Sequence, residues 1–148
     1  MSTESKTTLW PITIDVPVAW GDMDAFGHVN NTVYLRWFES ARIAYFDRVA
    51  LIGEMKATGT GPILARASVN FRKPVTYPDR VAVSARITDV RTTSFTMIYS
   101  ACSAGLGGAL VAEGDSVVVM IDYGSGEKRA VNEDLRKRIA TLEGARIS

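Results

Sequence analysis

The segment from Thr32 to Ala50 constrains this chain more than any other. Its spacing is helical, with Tyr34, Trp37, Phe38, Ala41, Tyr45 and Val49 along one stripe. Yet Leu35, Ile43, Ala44 and Phe46 leave little of the circumference polar. A surface helix keeps a broad wet face, whereas one that is apolar nearly all round must be enclosed on most sides. Arg36, Glu39, Arg42, Asp47 and Arg48 are therefore confined to a narrow strip or paired. The rest of the chain has to supply the enclosure. At the helix start Asn30 or Asn31 is a good N-cap, because an amide oxygen accepts a bond from an otherwise orphan backbone N–H.

What surrounds this helix reads as strand. Ile12, Ile14, Val16 and Val18 alternate with Thr13 and Asp15, giving a first strand with one wet face. Pro17 lacks a ladder donor, which places that strand at an edge or ends it there. Gly53 and the run Thr58-Gly-Thr-Gly-Pro62 are expected to close the helical unit with a turn. Four strands then follow. Ile63, Ala65, Ala67, Val69 and Phe71 alternate with Leu64, Arg66, Ser68, Asn70 and Arg72. Val81, Val83, Ala85 and Ile87 share a face in the next, and Thr93, Phe95, Met97, Tyr99 and Ala101 in the one after. The last runs from Leu110 to Tyr123, with Gly114 as a bulge or bend. Asn132 caps a short amphipathic helix with Leu135, Ile139 and Leu142 on its apolar side. The prediction is an α+β domain whose last four strands pair as an antiparallel meander. Residues 1–8 read as a disordered lead and 9–148 as one domain, in a chain whose 148 residues can build a real core.

Composition removes several classes of function. With 17 basic and 16 acidic residues the net charge is +1, so no overall field points to nucleic acid or a membrane surface. One histidine and one cysteine, Cys102, cannot assemble a zinc site of usual spacing or an internal disulfide. The polar N-terminus lacks a signal-peptide core, and no apolar run has the length of a membrane span. A reduced cytoplasmic setting is the expectation.

The chemistry is expected just ahead of the helix. Trp20-Gly-Asp-Met-Asp-Ala-Phe-Gly-His-Val-Asn-Asn31 holds two carboxylates, the only histidine and two adjacent asparagines. A polar loop that empties into a helix N-terminus is where anion and oxyanion sites form. With its continuation Thr-Val-Tyr-Leu-Arg-Trp-Phe-Glu-Ser-Ala-Arg42, this stretch resembles the signature of the hotdog-fold acyl-CoA thioesterases, and more narrowly the 4-hydroxybenzoyl-CoA thioesterase-like branch. The resemblance implies an antiparallel sheet wrapped around one long central helix. It also implies subunits paired edge to edge as a homodimer or homotetramer, and an active site at the subunit interface. The partner it implies is an acyl-CoA substrate, with no bound cofactor, no metal, no nucleic acid and no membrane.

Carried onto these residues, the resemblance makes Asp24 the catalytic carboxylate, as nucleophile on the thioester carbonyl or as base for a water. The alternative for Asp24 is a plain Asx-turn with nearby backbone. Asn31 sits where the family uses a backbone N–H to polarise the carbonyl, and the physics agrees, since first-turn amides lack intrahelical acceptors. His28 is a candidate to orient Asp24 or a water, or a satisfied structural histidine. Asp22 shapes the loop. Gly27 gives it a conformation or close approach that a Cβ would obstruct. Arg72, Lys73 and Arg91 are candidates for the coenzyme A phosphates, and Ser94 for a hydroxyl that reaches the site from the partner subunit. Glu39 is the rival carboxylate, about 12 Å along the helix from Asn31, or else the ion-pair partner of Arg42 or Arg36. Two other functions fit the same loop: a hotdog hydratase acting on enoyl thioesters, using Asp24 and His28, and a non-catalytic acyl-CoA-binding domain.

Overall fold

The structure, a computed structural model, describes residues 10–144. The expected lead at 1–8 lies outside the described residues. Helix α1 (Asn31–Arg48) is the long helix. Asn30 is its cap, with extended backbone and a side-chain oxygen that accepts the Thr32 N–H at 3.0 Å. Val33, Tyr34, Trp37, Phe38, Ala41, Tyr45 and Phe46 are buried against the sheet. Enclosure by this one chain is nevertheless partial. Leu35 and Ile43, two helical turns apart, remain 45% and 48% exposed.

The expected turn at Gly53 is a helix. The chain kinks at Ala50, which takes a left-handed conformation (φ 59°), and continues as α2 (Leu51–Thr58) with Gly53 inside it. The fully buried Leu51 anchors α2. The reversal falls at Gly59, and the next strand begins at Thr60, earlier than the Gly-Pro run suggested.

Five strands, β1 (Ile12–Pro17), β2 (Thr60–Phe71), β3 (Arg80–Val90), β4 (Ser94–Ser103) and β5 (Ala109–Asp122), form one antiparallel sheet. Their order is β1-β3-β4-β5-β2. The meander therefore covers β3, β4 and β5 only. Because β1 occupies the free edge of β3, β2 pairs with β5 instead and becomes the far edge. Pro17 ends the other edge strand, opposite Arg80.

The sheet face that holds α1 carries Val81, Val83, Ala85 and Ile87, then Phe95, Met97, Tyr99 and Ala101, all buried. On β2 the simple alternation fails. Its register shifts between Leu64 and Arg66, so one residue is unpaired and the faces swap. Ile63 pairs with Val119, between the buried Val118 and Met120, and so points away from α1. Leu64 joins Ala67, Val69 and Phe71 on the helix side. Gly114 is not a bulge either. It stands in regular register opposite Tyr99 and Val69, and the β5 irregularity lies near Ala101 and Cys102. Glycine is needed there because a Cβ would sit 2.6 Å from the Ser68 carbonyl oxygen and 2.9 Å from the Phe38 ring.

Helix α3 (Glu133–Glu143), capped by Asn132, closes the end of the core with Leu135 and Ile139. Its buried Glu143 accepts the Tyr45 hydroxyl at 2.5 Å and the Ile87 N–H at 2.9 Å. That N–H faces α3 where the β3–β4 register shifts. Arg138 adds bonds to the Val49 carbonyl and to Glu54. Among the described residues no helix is long and apolar enough to cross a membrane.

Gly114→Ala is expected to lower stability by about 1–3 kcal/mol, since neither the Ser68 backbone nor the Phe38 ring can yield freely. The drop would be read from the urea midpoint at unchanged slope.

Candidate active site

The loop ahead of α1 is a small hairpin built by main-chain bonds. Met23 and Val29 bridge across it, and the Asp24 N–H donates to the His28 carbonyl at 2.8 Å. Gly27, at φ 81°, turns the tip, and nothing lies within 4 Å of where its Cβ would be. The requirement is therefore conformation and not close approach. Asp22 accepts the Ala19 N–H at 2.8 Å through its side chain and the Asn30 N–H at 2.9 Å through its carbonyl. The Val29 N–H donates to the Val75 carbonyl, which fixes the hairpin beside the segment after β2.

A cleft of about 340 Å³ opens between this hairpin, the start of α1 and the end of β2. Asp24, His28 and Asn31 line it together with Phe71, Arg72 and Lys73. The half-buried Asp24 makes the Asx-turn, with one carboxylate oxygen accepting the Phe26 N–H at 2.9 Å. Among the described residues no donor engages its second oxygen. The amides at the start of α1 are used unequally. Thr32 N–H goes to the Asn30 side chain and Val33 N–H to the Asn30 carbonyl, whereas the Asn31 N–H has no acceptor among the described residues. One free carboxylate oxygen and one free helix-terminal amide thus share a cleft.

The other residues divide clearly. His28 is exposed, and its tie to Asp24 is through main chain. Arg72 is ion-paired with Glu113, while the exposed Lys73 stands at the rim. Burial pushes the Tyr34 phenol above its ordinary range, partly opposed by a bond with the Val75 main chain. At neutral pH Tyr34 is thus a protonated wall and not a base. It meets Phe71 edge-on at 5.1 Å. Arg91 and Ser94 are not in this cleft. Both lie at the β3–β4 turn, where Arg91 pairs with Asp89 at 2.8 Å. Ser94 stands opposite Val119, whereas Phe71 stands opposite Ala112. Those seven residues of β5 separate the rows by roughly 23 Å. Glu39 is within 4.0 Å of Arg42, the ion-pair alternative. Phe26, 85% exposed at the hairpin tip, also lines the cleft. Sequence gave no signal for it beyond an aromatic in a polar loop.

The sequence pattern of the thioesterase-like superfamily matches residues 18–139, which include the hairpin, α1 and all the strands after it. The chain belongs to that superfamily, has the hotdog fold and is a thioesterase. A Thermus thermophilus thioesterase, crystallised with coenzyme A and zinc, is similar over 92% of this chain and 96% of its own, at 31% identity and a TM-score of 0.81. A thioesterase superfamily protein from Jannaschia is similar over 97% of this chain and 93% of its own, at 27% identity and a TM-score of 0.83. Among sequences, the uncharacterised protein YsmA of Bacillus subtilis is 28% identical over 76% of this chain and 74% of its own length.

Gly27→Ala is expected to cost about 1–2 kcal/mol, the penalty for a side chain at a left-handed backbone position. Proteolysis within the hairpin should accelerate in the same variant, since the bonds around Asp24 would loosen first.

Proposed function

We propose that the chain hydrolyses acyl-CoA thioesters to a free acid and coenzyme A, with the reaction centred between Asp24 and the Asn31 amide. The observation that carries this reading is the pairing of an unengaged carboxylate oxygen with an unengaged first-turn N–H in one cleft. The carbonyl oxygen gains negative charge as the tetrahedral intermediate forms. The Asn31 N–H, reinforced by the positive end of α1, stabilises it without reorganisation. The free oxygen of Asp24 either attacks the carbonyl, giving an anhydride that water opens, or takes a proton from an attacking water. The coenzyme A thiolate leaves in both cases. The Phe26 N–H holds the other oxygen, so the carboxylate is aimed before substrate arrives. His28 supports the Asp24 backbone, and Lys73 supplies positive charge at the open rim for the phosphates, beside an Arg72 that Glu113 already pairs.

A second copy of the chain completes the site in this reading. The outer edge of β2, a strand of 12 residues, pairs with nothing among the described residues, and it exposes Ile63, Leu64 and Phe71. An edge that long and apolar is a template for another strand. Twofold pairing of β2 with itself is antiparallel, so the Thr60 end of one copy meets the Phe71 end of the other. The row containing Ser94 and Arg91 of the second copy is thereby carried toward the Asp24 cleft of the first.

In a thiol-release assay, Asp24→Asn is expected to lower kcat by about 10²-fold or more at unchanged fold. Asn31→Ala should lose far less, because its donor is main chain. Full turnover by Asp24→Asn, with loss in Glu39→Gln, would move the reaction onto α1. Sedimentation should give at least twice the 16.1 kDa chain mass. Activity per chain should fall on dilution as the dimer separates, and an active monomer would reject the shared site.

A further inference from the structure

Helix α1 carries a second polar group that the hydrolytic step does not use. Arg42 is only 11% exposed along its side chain, yet its guanidinium is thinly bound. One nitrogen donates to the Tyr99 hydroxyl at 3.2 Å, and that hydroxyl lies 2.6 Å from the buried Ser116 hydroxyl. Another nitrogen has Glu39 at 4.0 Å, and Glu39 is 58% exposed. A guanidinium offers five donors, and a cation withdrawn from water needs partners for them. Arg42 lines a cleft of about 340 Å³ whose apolar walls are Leu35, Phe38, Leu64 and Ala67.

This cleft comes next after the first along α1 and β2. Asn31, Leu35, Phe38 and Arg42 follow one another at helical spacing on the α1 face toward β2, while the β2 wall passes from Phe71 through Ala67 to Leu64. Eleven residues of helix rise roughly 16 Å, and helical side chains lean toward the N-terminus. The guanidinium thus returns to about 10 Å beyond the Asn31 amide, the reach of roughly eight carbons. The open end at Lys73 is basic and wet. The inner end is apolar and then cationic.

We propose that this groove receives the acyl chain and that Arg42 selects acyl groups ending in a carboxylate, so that the preferred substrates are monothioesters of medium-length dicarboxylic acids. The inference rests on the reading of the Asp24–Asn31 cleft as the thioester site. Two acids also line the groove. Asp115 turns to the other face of the sheet, where it is held by Ser68 at 2.8 Å and Arg66 at 3.5 Å. Glu39 is exposed and loosely placed, so it turns to solvent when a substrate carboxylate takes its position. Arg36 adds a second cation on the same wall. The substrate carboxylate then forms the two-pronged pair for which a planar guanidinium is shaped.

Calorimetry with non-hydrolysable S-(ω-carboxyalkyl)-CoA and S-alkyl-CoA thioethers of equal length tests this without relying on turnover. The native protein is expected to bind the carboxylated probe at least about tenfold more tightly, the worth of one charged hydrogen-bonded pair. That ratio should collapse in Arg42→Gln, survive in part in Arg42→Lys, and rise in Glu39→Gln. A native ratio of one or less, or equal weakening of both probes by Arg42→Gln, overturns the proposal. If Arg42→Gln does not fold, the native ratio and the Glu39→Gln shift decide the point. Carboxylate-dependent binding without hydrolysis of any thioester would sink the thioesterase mechanism alone. Hydrolysis of plain acyl-CoA with no carboxylate preference would sink this assignment alone.

Discussion

Burial of α1 against one face of the sheet is the constraint on which everything else here depends. The side chains from Val33 to Phe46 that face β3, β4 and β5 leave no room for a second layer on that face. At about 25 cal/mol per Å² of apolar surface removed from water, this one helix supplies a large share of the folding free energy. The sheet is adapted to it in detail. Phe38 stacks on Tyr99 with ring centres 5.0 Å apart, and the strand beside them has to be glycine at 114 to let the ring in. Helix α3 fixes the far end, with Glu143 spanning Tyr45 on α1 and Ile87 on β3.

The same constraint fixes the position proposed as reactive. A helix that is locked into a core has its N-terminus locked too, so the unused amide at Asn31 points in one direction only. Asn30 satisfies the amides of Thr32 and Val33 and leaves Asn31 alone. The hairpin is tied to the same point through Asp22 and Asn30, so the carboxylate of Asp24 is set relative to the helix end and not merely near it. Preorganisation of this kind is what makes a donor effective toward developing charge.

Much of this was legible in the sequence because burial leaves periodic marks. The strands β3 and β4 followed their period-two pattern, and α1 and its cap followed helix spacing and an asparagine at the right offset. What failed was non-periodic. An extra residue near Ala65 turned the Ile63 side of β2 around, and no local pattern announces a bulge. Gly53 looked like a breaker but sits in α2, because Leu51 is buried by tertiary contacts that outweigh a glycine's helix penalty of about 1 kcal/mol. The β2–β5 pairing also escaped, since alternation shows faces and not neighbours. At the site, the motif marked the hairpin and the cap, and the structure gathered Asp24, His28, Asn31, Arg72 and Lys73 around one cleft. Arg91 and Ser94 could not be placed from sequence, because their row lies at the other end of the sheet and only the proposed pairing of two copies carries it to a cleft. Arg42 was read as strip charge or as an ion-pair partner of Glu39, since its burial comes from Tyr99 and Ser116, more than fifty residues on.

The sequence demanded a helix enclosed on most sides, and one chain encloses it on about half. Leu35, Glu39 and Ile43 lie along a single exposed stripe of α1, and the unpaired edge of β2 runs beside it. These are two forms of the same deficit, one of apolar cover and one of hydrogen-bond partners. Pairing β2 across a twofold axis meets the second and brings the second copy's helix side toward the first. The proposed groove from Asn31 to Arg42 runs between those two incomplete surfaces. Closing it would exclude water from the thioester and from the guanidinium together, which strengthens both interactions in the same step. In the proposed reading, assembly, oxyanion stabilisation and acyl selection therefore all follow from a helix too apolar for its own chain to cover.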